Sequence, residues 1–135
     1  MKVLRRAITI FFMLLVILLV FLAYGSIDNR WYRVITVDGN SMSPTLWVGD
    51  MIVVTPPPAE IQPNTIVTMR IAGALVTHRL LGYDANHRPI TQGDANDSPD
   101  AWTNPDLQIV GVFQLRLPGF GYPIMFLSSL LRPSA

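Results

Sequence analysis

The sequence has no cysteine, one lysine and two histidines, and these shortages restrict its chemistry. Without cysteine the chain can form neither disulfides nor thiolate metal sites. It also lacks the His-Glu-x-x-His pattern of zinc proteases and the glycine-rich loops that bind phosphates. We therefore expect no metal and no cofactor. The few groups that could act as a general base are Lys2, His78 and His87.

A long apolar run lies near the start of the chain. It covers the 18 residues Ala7–Tyr24 and is interrupted only by Thr9. As a helix it would be about 27 Å long, close to the roughly 30 Å hydrocarbon core of a bilayer. Lys2, Arg5 and Arg6 precede the run, and such residues stay on the cytoplasmic side. The pattern predicts a single-pass anchor in the cell membrane.

The expected topology divides the chain into two parts. Residues 1–25 would form the cytoplasmic tip and anchor, in contact with membrane lipid, and residues 26–135 one extracytoplasmic domain. The alternative is a cleaved export signal, because Ala23-Tyr24-Gly25 has small residues at the two positions that such cleavage sites favour. The net charge is only +1, and three of the cationic residues precede the apolar run, which argues against nucleic-acid binding.

Beyond the apolar run the sequence is typical of short β-strands. The segments are rich in branched residues and bounded by Gly, Pro, Asn or Asp. The predicted strands are Val34–Val37, Met51–Val54, Ile66–Ile71 and Leu75–Leu81, with a hairpin through Asp84–Pro89 to Ile90 and Thr91. The proline-rich segment 55–64 is expected to be an exposed connection. The apolar segment 120–131 is too short to span a membrane as a helix. The domain is therefore predicted to be mainly β.

Ser41 is a candidate nucleophile because it follows the first predicted strand in a turn favoured by Asp38-Gly39-Asn40. A nucleophile on a tight turn can present its hydroxyl and its own backbone N–H to the same carbonyl group. A serine hydroxyl also needs a neighbouring group that takes its proton. Lys2 lies on the opposite side of the predicted membrane segment from Ser41, so a Ser–Lys pair within the chain is excluded.

The two histidines are then the candidate bases. Strand alternation places His78 on one face with Val76 and Leu80, and Arg79 on the other face. Apolar neighbours favour a neutral imidazole that can accept a proton. The structural alternative is a core histidine with a satisfied hydrogen bond. His87 lies in the predicted hairpin turn, where a solvated histidine is the better interpretation.

Three segments resemble the conserved boxes of type I signal peptidases of the histidine type, as found in the endoplasmic reticulum and in archaea. These membrane-bound serine proteases remove targeting peptides from exported proteins. The boxes are Ser41-Met42-Ser43-Pro44-Thr45-Leu46 with Gly49-Asp50, Thr77-His78-Arg79-Leu80, and Gly93-Asp94-Ala95-Asn96 with a later aspartate. They occur in the order of the family. The resemblance implies a signal-peptidase-like coiled β-sheet domain on a single N-terminal transmembrane helix.

The resemblance also implies roles for individual side chains. Ser41 would be the nucleophile and His78 the base. Counting along the third box, Asp100 becomes the carboxylate that orients the histidine, and Asp94 a structural or supporting acid. The spacing leaves the division between these two aspartates open. Asp97 is expected to be solvated.

Further supporting positions come from the first box. Met42 and Pro44 match its pattern. Gly39 stands where many family members have a serine whose hydroxyl assists the oxyanion, so the Ser41 amide would carry more of that function. The implied substrate is an exported precursor with small residues one and three positions before the cleaved bond, bound as an extended strand. Two alternatives are a specialised precursor-processing peptidase of the same family and a non-catalytic, membrane-anchored β module for binding.

Overall fold

The chain forms a long N-terminal helix, a β-sheet domain and a short C-terminal helix. The computed structural model describes residues 2–28, 31–102 and 106–131, with side chains in the first range described at 2 and 5–20. The elements are α1 Lys2–Asp28, β1 Arg33–Thr36, β2 Met51–Thr55, β3 Ile66–Ile71, β4 Ala74–Tyr83, β5 Pro89–Gln92, β6 Gln108–Leu117 and α2 Tyr122–Leu131.

The strands of the described residues form one six-stranded sheet, in the order β1-β2-β6-β3-β4-β5. Every neighbouring pair is antiparallel. The prediction of a mainly β domain is confirmed. The sequence reading left β6 out, although this strand lies between β2 and β3 and joins the two halves of the sheet.

Helix α1 contains the predicted apolar run. Its large apolar side chains from Ile8 to Val20 are exposed, and the helix contacts the domain at β1. Within the part of the chain that the structure describes, no helix meets the length and apolarity needed to cross a membrane. The predicted anchor therefore stays a prediction. The side chains of Ala23-Tyr24-Gly25, the alternative cleavage site, lie outside the described residues.

Apolar side chains pack into two buried clusters. Met42, Leu46, Ile52, Val54 and Ile66 form the first cluster, and Ile61, Val67, Met69, Leu80 and Val112 form the second. Successive strand residues such as Ile66 and Val67 belong to different clusters, because alternate side chains point to opposite faces of a sheet. Both faces of the sheet are therefore covered. In the proline-rich connection the exposed residues flank Ile61, which anchors it to the second cluster.

Helix α2 begins against the turn between β1 and β2. The amide of Gly121 donates to the carbonyl oxygen of Gly49 at 2.8 Å. Gly49 has a φ of +87°, and a Cβ there would lie only 2.3 Å from the Tyr122 ring. Glycine is required on both counts, since other residues avoid this φ and would collide with the ring. No residue of α2 is buried, and the hydrogen bond from Gly121 attaches the start of the apolar 120–131 segment to the domain.

Candidate active site

Ser41 opens a short turn that follows β1 and is fixed by core residues. Met42 and Leu46 are both buried in the first cluster, and the Leu46 amide donates to the Met42 carbonyl at 2.9 Å. The Ser43 amide donates to the carbonyl of Asn40 at 3.0 Å. Ser41 itself is half-buried. Its hydroxyl is thus held at the surface by a turn whose neighbouring side chains point into the core.

His78 lies in β4, directly opposite Val67 of β3. It is buried together with Leu80, two residues further along the same face, as the strand alternation predicted. Its Nε2 atom lies 2.9 Å from the Ser41 hydroxyl oxygen. Nucleophile and candidate base, 37 residues apart in the chain, are therefore in hydrogen-bond contact.

Asp100 holds the other ring nitrogen. Its Oδ2 atom lies 2.6 Å from Nδ1 of His78, and the two side chains are only 8% and 7% exposed. A carboxylate can only accept hydrogen bonds, so the proton of a neutral imidazole is assigned to Nδ1. The lone pair of Nε2 then faces the Ser41 hydroxyl, which donates to it. The result is a serine–histidine–aspartate chain whose hydrogen bonds all run in one direction.

Two further side chains extend this chain beyond Asp100. The Thr91 hydroxyl donates to Asp100 Oδ2 at 2.7 Å, and the Trp102 indole N–H donates to the Thr91 hydroxyl oxygen at 2.7 Å. The Trp102 ring centroid lies 6.2 Å from that of His78. Thr91 is fully buried in β5. The Asp100 carboxylate is thus held by the Thr91 hydroxyl as well as by the imidazole.

Asp94 lies in the same loop as Asp100 but has a different partner. Its two carboxylate oxygens accept from Nε and Nη2 of Arg79 at 2.8 and 2.7 Å, and its Oδ2 also accepts from the Thr45 hydroxyl. The Arg79 bonds lower the pKa of Asp94, the Thr45 bond adds to this, and burial opposes it. Its carboxylate in turn raises the pKa of Arg79. Asp94 therefore ties the nucleophile turn to β4 rather than orienting His78.

A second acidic group supports the nucleophile turn from its C-terminal end. Asp50 is buried, and its carboxylate accepts from the Trp47 amide at 2.8 Å and the Gly119 amide at 3.1 Å. It also pairs with Arg116 Nε at 2.6 Å. Burial raises the pKa of this carboxyl, but the two amides and the guanidinium outweigh burial, and the net pKa is lowered. An ionised Asp50 fixes residues 47–50 against β6.

The loop that contains Asp94 and Asp100 also hydrogen-bonds to the backbone of Ser41. The Ala95 amide donates to the Ser41 carbonyl at 2.9 Å, and the Asn96 amide to the Gly93 carbonyl at 2.9 Å. A Cβ on Gly93 would lie 2.5 Å from the Ser41 carbonyl oxygen. Only glycine allows this approach, since real Cβ atoms do not come so close to oxygen.

An open cleft of about 220 Å³ lies beside Ser41. It is lined by the last residues of β1, the first residues of β4 and core residues of the nucleophile turn. Its lining includes Ile35, Val37, Met42, Leu46, Leu75 and Val76. The lining is mainly apolar and includes Ser41, so apolar groups of a bound ligand can lie next to the reacting hydroxyl.

The remaining sequence-predicted positions lie apart from this hydrogen-bond chain. His87 is exposed in the hairpin turn with a φ of +59°, and Asp97 is exposed as well. Gly39 and Pro44 are exposed beside the nucleophile turn, whereas Met42 belongs to the core. Among the described residues no cluster of His, Cys, Asp and Glu could hold a metal ion.

Thr91 and Trp102 are the site residues that the sequence reading missed. The sequence pattern places Thr91 in a strand and indicates no role for Trp102. A tryptophan two residues after the candidate aspartate is a usable signal, because a buried indole N–H needs an acceptor. The partner of that N–H depends on how β5 and the loop meet, which the order of residues does not reveal.

A serine hydroxyl bonded to a buried histidine, which a carboxylate holds in turn, defines the site of a serine hydrolase. Residues 22–113 match the family model described as Peptidase S24-like. The match covers more than half of the chain, and the chain belongs to this family of serine peptidases. Comparison with curated proteins found no match. The family match does not single out type I signal peptidases, so the narrower resemblance to them stays a prediction.

Proposed function

We propose that this protein is a membrane-bound serine endopeptidase that removes N-terminal signal peptides from exported proteins. The observation that carries the proposal is the chain of hydrogen bonds from Ser41 through His78 to Asp100, with distances of 2.9 and 2.6 Å. These side chains come from three separate parts of the chain. Their convergence on Ser41, which lines an apolar cleft, supports catalysis better than it supports a binding module.

The proposed chemistry is acyl transfer. Ser41 Oγ attacks the scissile carbonyl carbon while Nε2 of His78 takes the hydroxyl proton. Asp100 stabilises the imidazolium that forms and keeps the ring in place. The proton then passes from Nε2 to the leaving amine, and the C–N bond breaks to give an acyl-enzyme. Water, activated by the same histidine, hydrolyses the ester and regenerates Ser41.

The strand edges around the cleft support an extended peptide as substrate. Within the described part of the sheet, β1 pairs with β2 alone, and β4 pairs with β5 only from Arg79 onward. Residues 34–36 of β1 and the segment 74–77 of β4 therefore carry backbone groups that an added strand can bond. In an extended peptide alternate side chains point the same way, so residues one and three before the cleaved bond would enter the cleft. Its volume admits small side chains there.

The proposed membrane anchor rests on α1 and the residues that precede its apolar run. The helix has 27 residues, and its large apolar side chains from Ile8 to Val20 have no protein partner that buries them. The one polar side chain among them, Thr9, donates to the carbonyl of Arg5 at 2.9 Å, which satisfies its hydroxyl within the helix. Such a helix suits a lipid environment, because its polar groups are paired internally.

The test is cleavage of purified exported precursors by the full chain in detergent. Ser41→Ala and His78→Ala should each abolish cleavage, while His87→Ala, the matched control at the other histidine, should retain it. Precursors with a bulky residue one position before the bond should resist cleavage. Activity that survives in Ser41→Ala would refute the assignment. Loss of cleavage in His87→Ala but not in His78→Ala would reverse the choice of base.

A further inference from the structure

We propose that Thr91 and Trp102 are positioning residues that hold Asp100, and through it His78, in the arrangement needed for catalysis. The inference rests on the proposed function of the Ser41 site, since it assigns a role within that reaction. Neither residue touches the cleft in which the peptide would bind. Their contribution would be to the orientation of the base rather than to substrate affinity.

The direction of the hydrogen bonds can be worked out from the donor types. An indole N–H can only donate, so the Thr91 hydroxyl oxygen must accept the bond from Trp102. The single hydroxyl hydrogen of Thr91 then has two acceptors in reach, Asp100 Oδ2 at 2.7 Å and the Met69 sulfur at 3.8 Å. The carboxylate is closer and is the stronger acceptor. Trp102 therefore aims the Thr91 hydroxyl at Asp100.

Thr91 is well placed to act as a fixed donor. It is 0% exposed and lies opposite Leu80 in the pairing of β4 with β5. Its side chain is branched at Cβ, which restricts rotation about χ1. Its carbonyl also accepts from the Asp100 amide at 2.7 Å. Thr91 thus bonds both the backbone amide and the side-chain carboxylate of Asp100, and these two bonds together limit rotation of the carboxylate.

Trp102 connects this arrangement to the hydrophobic core. Its ring packs against the second buried cluster, which includes Met69 and Leu80. The same ring lies 6.2 Å from the His78 imidazole at an interplanar angle of 34°. The indole therefore orders the Thr91 hydroxyl and also lies beside the imidazole of the base.

The consequence concerns the tautomer of His78. Asp100 Oδ2 accepts from both Nδ1 of His78 and the Thr91 hydroxyl. Without the Thr91 bond the carboxylate can turn about Cβ–Cγ and hold Nδ1–H less firmly. A larger share of the neutral rings would then carry the proton on Nε2, and such rings cannot accept the Ser41 proton. The rate of the chemical step should fall while KM stays near its original value.

The experiment compares matched threonine variants in the full chain labelled with ¹⁵N at histidine. His87→Ala is the common background, so that every imidazole signal belongs to His78. Thr91→Val removes the hydroxyl and keeps the shape, and Thr91→Ser restores the hydroxyl. Thr68→Val is the control, because Thr68 is also fully buried and, among the described residues, its hydroxyl bonds to that of Thr77, at 2.9 Å, rather than to Asp100. The ¹⁵N shifts report the tautomer, and steady-state cleavage reports kcat and KM.

In the parent the Nδ1–H tautomer should predominate. Thr91→Val should move the population towards Nε2–H and lower kcat about tenfold, the effect expected for one hydrogen bond to a charged group. Thr91→Ser should recover both readouts, and Thr68→Val should change neither. Trp102→Phe, which keeps an aromatic ring but lacks the N–H, should shift the tautomer in the same direction, with Trp31→Phe at an exposed position as its control.

An unchanged tautomer and kcat in folded Thr91→Val would overturn the inference. If that variant does not fold, Trp102→Phe decides, and a wild-type tautomer there would equally refute the role. The two readouts separate this inference from the proposed function. Wild-type protein that cleaves no precursor would refute the peptidase assignment, whereas the tautomer shift would still support Thr91 and Trp102 as groups that position His78.

Discussion

Asp94 and Asp100 belong to one loop, yet their contacts predict different effects when each is replaced by asparagine. Asp100→Asn should cost activity, and Asp94→Asn should cost stability. Asp100→Asn would place an amide against Nδ1 of His78, where its NH₂ group can impose the wrong tautomer. In a serine–histidine–aspartate arrangement this replacement lowers kcat by about ten-thousandfold, and we expect a loss of about a thousandfold or more here. The fold should be little affected, because the new side chain has the same size.

Asp94→Asn should instead cost stability. The change removes one charge from a pair whose side chains are 28% exposed for Arg79 and 14% exposed for Asp94. Hydrogen bonds to charged groups contribute about 1.5–3 kcal/mol when shielded, and exposed ion pairs about 0–1 kcal/mol, so about 2 kcal/mol is expected for this partly shielded pair. With a urea m-value of about 2 kcal/mol/M, the unfolding midpoint should fall by about 1 M. The loss in kcat should be only severalfold.

The stability difference should also depend on pH. The folded pKa of Asp94 is lowered below its ordinary value of 3.8, mainly by the bonds from Arg79. The resulting stabilisation is fully present above the unfolded pKa and is lost as the pH falls through the folded pKa. The difference in the free energy of unfolding between wild type and Asp94→Asn should therefore be constant from about pH 7 to 5. It should shrink towards zero as the pH falls below about 3.8.

The assays are single-turnover cleavage of one precursor peptide near neutral pH and urea unfolding of both variants across this pH range. Asp100→Asn should lose activity while its unfolding midpoint stays unchanged. Asp94→Asn should unfold at a lower urea concentration and keep most of its activity. The reverse pattern would show that Asp94 orients the base. Equal losses of activity in two equally stable variants would mean that the hydrogen bond from His78 Nδ1 to Asp100 has no special role.

Two glycines near Ser41 give further predictions. A Cβ at Gly39 would meet no atom within 4 Å, so Gly39→Ser can be accommodated, and its hydroxyl should raise kcat by up to about tenfold as an added oxyanion donor. Gly39→Ala is the control without a donor, and equal rates in the two variants would contradict the reasoning. Gly93→Ala should lower kcat at least about tenfold, because its Cβ would push on the Ser41 carbonyl, and a displaced nucleophile loses its attack geometry. Gly82→Ala, where a Cβ meets nothing within 4 Å, should be active, and full activity in Gly93→Ala would show that the loop shifts without moving Ser41.

Local patterns predicted much of the fold. Strand β3 has the predicted bounds, and β4 contains the predicted strand and extends beyond it. Alternation correctly grouped His78 with Leu80 on an inward face, since this depends only on the period of a strand. The hairpin turn with its exposed His87 follows from local turn chemistry and was equally accessible. Each of these features is decided within about ten residues.

Features that depend on distant pairing were not accessible in the same way. The sequence reading left out β6, and its place between β2 and β3 is decided by contacts with strands far away in the chain. The pairing of β6 shifts register at Val53/Val54 and again at Thr68/Met69. Another shift, between Leu80 and Gly82, lies beside the site. Such irregularities change which side chains face each other, and a period-two pattern cannot locate them.

The choice between Asp94 and Asp100 shows the same limit at the level of single side chains. Both are aspartates in one loop, and composition cannot say which reaches the histidine. The contacts of Arg79 make the choice. Arg79 follows His78 in the chain, so its guanidinium lies on the opposite face of β4, where it hydrogen-bonds to Asp94. Asp100 then meets His78 on the inward face. Strand alternation at residues 78 and 79 thus separates the two carboxylates.

This separation makes the loop from Gly93 to Asp100 a link between nucleophile and base. At its start the Ala95 amide bonds the Ser41 carbonyl, and at its end Asp100 bonds both His78 and the Thr91 backbone. A displacement of the loop must therefore move the hydroxyl and the imidazole in relation to each other. Their 2.9 Å contact depends on the path of this loop as much as on the two side chains themselves. The short spacing between Asp94 and Asp100 lets one loop bond both Arg79 and His78, on the two faces of β4.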